Sequence, residues 1–266
     1  ADFRCEYAIS WSLVKYRWAL AADSAEIAAL EALFVDACGA TEVTLPTVML
    51  TNEPAPDPEP DPDPEPAPET VISAFPDGIT RLAGADRYAT AIEMSKRYAP
   101  DVPAVFVATG ADFPDALAAS AAAALVGGPL LLTPSANVPT QVRAEIERLK
   151  PRTIYTLGGT GAVSESVEST LRGIAPVERL GGTTRYDTGL AIVNAIFSSS
   201  TTAFIATGRT FPDALAAAGA AGAKDAPVIL VDGMGNTVPS STLATLQRLG
   251  VQSVAIAGAS GAVSNG

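Results

Sequence analysis

The chain has 266 residues, 48% hydrophobic and 17% charged, with 22 Gly, 21 Pro, 2 Cys and no His, which is length enough for two packed modules. The lack of histidine excludes a Ser-His-Asp triad, a Cys-His pair, an H-E-x-x-H metal site and any imidazole base. Residues 1–78 hold 15 of the 29 acidic and 3 of the 17 basic side chains, which accounts for the whole net charge of −12, while residues 79–266 hold 14 of each.

The first zone, 1–52, contains both cysteines and both tryptophans. Tyr7, Trp11, Val14 and Trp18 follow helical spacing, as do Ile27, Leu30, Leu33 and Phe34, with Asp23 or Ser24 as cap. Cys5 and Cys38 bracket this pair. A disulfide there closes a loop of about 34 residues and contributes roughly 3–4 kcal/mol in the chain-entropy model; two unrelated buried thiols are the alternative. The chain starts at Ala1, as expected of a processed chain or a fragment.

The second zone is an acidic linker, 53–78. Proline occupies every even position from Pro54 to Pro68, and seven of the other residues from Glu53 to Glu69 are Asp or Glu. Proline fixes φ and pushes the preceding residue to extended geometry, so this segment reads as a polyproline-II spacer.

The remainder is a tandem repeat, copy one at 79–178 and copy two at 179–266. Arg81-Leu-Ala-Gly-Ala-Asp-Arg-Tyr-Ala-Thr90 returns as Arg179-Leu-Gly-Gly-Thr-Thr-Arg-Tyr-Asp-Thr188, and Thr109-Gly-Ala-Asp-Phe-Pro-Asp-Ala-Leu-Ala-Ala119 returns as Thr207-Gly-Arg-Thr-Phe-Pro-Asp-Ala-Leu-Ala-Ala217. Gly158 to Ser164 recurs as Gly258 to Ser264. In copy one, strands are expected at Ala104–Ala108, Pro129–Thr133 and Thr153–Leu157, and helices at Arg87–Tyr98, Pro114–Val126, Pro139–Lys150 and about Ser164–Arg172. The run from Ala116 to Leu132 is mostly alanine and is broken by Gly127, Gly128 and Pro129, so it reads as a buried helix, turn and strand rather than a membrane span. Alternating strands and helices predict an α/β fold with mostly parallel sheets.

A ligand site is expected at the turns Thr109-Gly110 and Thr207-Gly208, because α/β sheets bind at the carboxyl ends of their strands. Asp115 and Asp213 open helices behind a proline, where they complement the helix dipole; direct ligand contact is the second reading. Gly158 to Gly161 lacks the spacing and lysine of a nucleotide loop, so no cofactor is expected. Arg81, Arg87, Arg179 and Arg185 flank a glycine turn together with Tyr88 or Tyr186. Their planar forks suit the carboxylates or phosphates of a polyanionic glycan, or else ion pairs inside each module.

These motifs, closed by G-[GA]-[TS]-G-A-V-S, resemble the cell wall binding repeat 2 family over residues 81–266. The resemblance implies non-catalytic modules of secreted, Gram-positive surface proteins, anchored noncovalently to an anionic wall polymer. It also implies α/β modules, commonly three in tandem, around a pseudo-threefold axis. Copy two lacks counterparts of Val167 to Glu178, the last helix of copy one, so a third repeat in a longer chain or a homo-oligomer is expected to complete it. Residues 1–38 look like the carboxyl-terminal tail of secreted HNH-type nucleases. A fragment of such a nuclease with a wall anchor, or a self-assembling surface-structure protein, is the competing reading. No metal, no membrane span and no nucleic acid held by the repeats are expected.

Overall fold

The computed structural model describes residues 24–39 and 72–264 and divides the chain into two units, 1–67 and 68–266. Of the first unit, helix α1 (Ser24–Cys38) is described, with Leu30 buried. It matches the second helical pattern read from the sequence. The pattern from Tyr7 to Trp18, Cys5 and with it the pairing expected for Cys38, and the proline repeat lie outside the described residues.

The second unit begins where Ile72 bridges antiparallel to Tyr98 and the Ser73 N–H donates to the Arg97 carbonyl at 2.9 Å. Copy one then runs α2 (Arg87–Ser95), β1 (Ala104–Thr109), α3 (Pro114–Val126), β2 (Leu130–Thr133), α4 (Thr140–Leu149), β3 (Thr153–Leu157), α5 (Glu165–Arg172) and β4 (Val177–Leu180). Copy two repeats the order as α6 (Arg185–Ile196), β5 (Thr202–Thr207), α7 (Pro212–Gly222), β6 (Val228–Val231), α8 (Ser240–Leu249) and β7 (Ser253–Ala257). Among the described residues no helix is long and apolar enough to cross a membrane.

All strand pairs are parallel, in sheets of order β2-β1-β3-β4 and β6-β5-β7. The strands are short apolar runs because helices cover them, and every residue of β1 is buried. Behind the first sheet, Val107, Val142, Ile146, Ile154, Val167 and Leu171 form one core. Between the repeats a second core fuses both copies, with Phe106, Ala118, Leu157, Leu190, Ala217 and Leu230 in one cluster. The alanines of α3 permit this close helix packing: a Cβ at Gly189 of α6 would sit 3.6 Å from Ala118, and one at Gly222 of α7 3.3 Å from Ala124.

One expected element differs. Residues 177 and 178, assigned to the last helix of copy one, belong to β4 instead. Glycine and proline at Gly173 and Pro176 end α5, and Val177 to Leu180 pair in register with Ile154 to Leu157. Copy two's opening residues, Arg179 and Leu180, therefore lie in copy one's sheet. Arg148 and Arg248, at matching places in α4 and α8, clip the end of the first helix of each copy, α2 and α6. Arg148 donates to the Tyr98 and Ser95 carbonyls, and Arg248 to those of Phe197 and Val193.

Candidate functional site

The repeated R-L-x-G-x-x-R-Y-x-T motif is a joint with two ends. Its first arginine reaches backward: Arg179 donates to the carbonyls of Gly158 at 2.7 Å and Val163 at 2.8 Å, and pairs with Glu168 Oε1 at 2.8 Å. Glu168 is buried and also accepts from the Thr156 hydroxyl at 2.6 Å. The second arginine reaches forward, Arg87 to the Gly110 carbonyl and Arg185 to the Gly208 carbonyl at 2.8 Å. Tyr88 and Tyr186 pack onto these same glycines, where a Cβ would meet the ring at 2.5 and 2.7 Å. The closing threonines, Thr90 and Thr188, accept from the N–H of Gly84 and Gly182 at 3.0 and 3.1 Å, holding the turn onto the helix start.

Above the strand ends this joint frames a cleft of about 330 Å³. Copy one contributes Thr109, Asp112, Asp115, Ser135, Gly161 and Ala162, and copy two contributes Arg185 and Thr188. A matching cleft of about 510 Å³ stands over copy two, lined by Thr207, Thr210, Asp213, Gly261 and Ala262. The site is thus built twice from the same positions. In the first instance the following repeat's Arg185 and Thr188 complete it.

Local chemistry explains the cleft walls. Pro114 and Pro212 stand at the first helical position, which delivers Asp115 and Asp213 to the first turn at the positive end of the helix. Each carboxylate rests against the glycine loop: a Cβ at Gly158 would lie 2.3 Å from Asp115 Oδ2, and one at Gly258 2.5 Å from Asp213 Oδ2. Gly158 and Gly258 also adopt φ of +88° and +109°, so glycine is required twice over. Burial pushes the Asp115 carboxyl above its ordinary range, Asp112 adds to the rise, and Arg185 opposes it. Arg185 lies 3.6 Å from Asp112 and 5.9 Å from the Phe113 ring, which meets Phe211 edge-on at 5.7 Å.

The structure thus gathers Thr109, Arg185 and the Asp115 carboxylate at one cleft and Thr207 with Asp213 at the other. Arg87 and Gly110 line a neighbouring recess of about 360 Å³ with Phe113. The Arg179 fork is occupied by protein carbonyls and Glu168, and Tyr186 donates to Asp232 at 3.2 Å. Arg81 stands exposed. Sequence reading did not single out Ser135, Thr188 or Glu168; of these only Thr188 carried a signal, as the last position of the repeated motif.

Residues 81–168 and 179–266 each match the family model of cell wall binding domain 2 (CWB2). The chain is 25% identical to N-acetylmuramoyl-L-alanine amidase LytC of Bacillus subtilis (strain 168) over 190 residues, covering 71% of this chain and 38% of that protein. It is 32% identical to the amidase enhancer of the same organism over 152 residues, covering 57% and 21%. Among solved structures it resembles Cwp6 and Cwp8 from Clostridium difficile, each with a TM-score of 0.63. Identity is 29% and 30%, with 69% of this chain covered in each case and 29% and 31% of theirs. The chain therefore spans well under half the length of these relatives.

Proposed function

The chain belongs to the cell wall binding domain 2 family, and from that premise we propose that its repeats anchor a secreted protein noncovalently to an anionic polymer of a Gram-positive cell wall, without catalysing a reaction. The observation that carries the reading is the duplicated cleft. A catalytic centre needs one well-built site, whereas weak repeated sites suit a long polymer that threads past several of them and gains by avidity. Arginine and helix-end N–H groups meet the anionic links of such a polymer, and the carboxylates and threonine hydroxyls meet its sugar hydroxyls.

The test is sedimentation of the protein with purified walls before and after their anionic polymers are stripped. Retention that falls with stripping and with added salt supports the proposal. Equal retention on stripped walls assigns binding to another wall component, and release of soluble wall fragments by the pure protein replaces the anchor with an enzyme.

A further inference from the structure

Beside the first cleft lies the recess of about 360 Å³, to which the anchor reading gives no role. Cleft and recess are continuous, since Thr109, Ala111 and Asp112 line both. Their chemistry differs. The cleft walls carry carboxylates, hydroxyls and a guanidinium, whereas the recess has an apolar floor of Ala111, Phe113, Ala116 and Leu132. All of its lining lies between Arg87 and Leu132, so copy one builds it alone.

Two charged groups stand on that lining. Arg87 donates to the Gly110 carbonyl and, among the described residues, has no other hydrogen-bond or ion-pair partner. Asp112 accepts from the Phe113 N–H at 2.9 Å through Oδ1 and faces Arg185 at 3.6 Å with Oδ2. The recess therefore offers a donor fork, an acceptor carboxylate and no net charge of its own. A neutral group with an acceptor, a donor and a short apolar end matches that set, and a second anion does not. Copy two differs at this point. Arg209 stands where Ala111 stands, its Nε donating to Asp232 Oδ1 at 2.7 Å, and Leu230 is 2% exposed where its counterpart Leu132 is half-buried.

We propose that this recess binds the acetamido group of an N-acetylated sugar in the wall polymer, whose chain continues into the first cleft. The inference rests on the reading of the clefts as polymer sites. The acetyl methyl settles on the floor beside Ala116 and Leu132, the acetamido N–H donates to the Asp112 carboxylate, and its carbonyl accepts from Arg87. A sugar with a hydroxyl in place of the acetamido group leaves the floor uncovered and Arg87 unmatched, so it is discriminated against. Copy one thereby reads a neutral mark on the polymer that charge attraction alone does not distinguish.

The probe is N-acetylglucosamine added to the full chain, and the readout is saturation-transfer difference NMR. A single sugar is expected to bind at about millimolar strength, with its acetyl methyl protons more strongly saturated than its ring protons. Glucose is expected to give about a tenth of that signal or less. Ala111→Arg places copy two's side chain at the recess and is expected to abolish the methyl signal, while Ala111→Ser leaves the recess open and keeps it. Position 111 is exposed, so both variants are expected to fold as the parent does, which circular dichroism checks. An equal signal from glucose, a methyl signal that survives Ala111→Arg, or no binding of N-acetylglucosamine overturns the proposal. Sedimentation of the same parent with intact walls keeps the two readings apart. Retention on walls without sugar binding overturns the recess and leaves the anchor standing; sugar binding lost in Ala111→Arg, without retention on walls, supports the recess and overturns the anchor.

Discussion

Arg179 donates to the carbonyl of Gly158 across 2.7 Å, and by that bond the first residue of one repeat's motif closes the glycine loop of the repeat before it. The same loop backs the Asp115 carboxylate, so the joint between repeats and the floor of the cleft share one piece of main chain. Module assembly and site geometry are mechanically the same event here.

Arg179→Ala strips a partner from two carbonyls and from a Glu168 carboxylate that is only 6% exposed. Glu168 keeps Arg172 at 2.7 Å and the Thr156 hydroxyl, so its charge stays partly compensated while the Gly158 and Val163 carbonyls lose their donor, and a loss of about 1–3 kcal/mol is expected. Urea unfolding measures it. The double variant Arg179→Met with Glu168→Leu is expected to recover only the share of the loss due to the carboxylate; equal costs for the single and double variants assign the loss to the two carbonyls.

Gly158→Ala and Gly161→Ala separate strain from site. The first forces a Cβ onto Asp115 at a φ of +88°, and is expected to cost more than about 2 kcal/mol. At Gly161 a Cβ meets nothing within 4 Å, so stability is expected to change by less than about 0.5 kcal/mol. Because Gly161 lines the cleft, any fall in wall retention in that variant reports on the site rather than on folding.

Burial holds the Asp115 carboxyl above the ordinary carboxylate range. The folded chain thus keeps a proton that the unfolded chain has released, and stability from this group is full at low pH and declines as pH rises through the raised value. Ionisation also places a second negative charge beside Asp112, with Arg185 as the facing cation. Wall retention is therefore expected to strengthen as pH falls through this range, and Asp115→Asn is expected to bind at neutral pH as the parent binds in mild acid. Parallel pH curves for parent and variant remove Asp115 from the binding site.

Arg87→Ala combined with Arg185→Ala is expected to weaken retention on intact walls about tenfold and to flatten its salt dependence. Each arginine also holds a glycine carbonyl, so circular dichroism and unfolding of the same variant accompany the binding curve. Unchanged retention in a folded double variant assigns binding to other residues.

Phe113 and Phe211, the two phenylalanines of the repeated Phe-Pro-Asp triplet, meet across the seam at 5.7 Å with rings tilted 64°. A double-mutant cycle to alanine is expected to give a coupling of about 0.5–1.5 kcal/mol. A coupling near zero shows that the contact is incidental to how the repeats are joined.

Much of this was legible locally. The span of α3 (Pro114–Val126) follows from a proline that starts a helix and a glycine that ends it, with Gly127 at φ +72°. The β3 span is an apolar run bounded by turns. Duplication marked Thr109 and Thr207, Arg87 and Arg185 as positions of interest because each occurs twice in register. Strand β4 was harder to see. Val177-Glu-Arg-Leu180 has only four residues and two charges, and its stability comes from a neighbouring strand rather than from its own pattern.

What the sequence determined by itself is the repeat, the alternation of strand and helix and the expectation of a parallel sheet, because these depend on spacing along the chain. The tertiary structure decided which arginine does what. Arg179 and Arg185 stand six positions apart in one motif and look alike as sequence, yet one is occupied by the carbonyls of the preceding repeat and the other faces a cleft. That difference is set by contacts between residues distant along the chain, such as Arg179 with Gly158 and Arg185 with Asp112, and such contacts exist only once β4 has joined the first sheet and α6 has packed beside it.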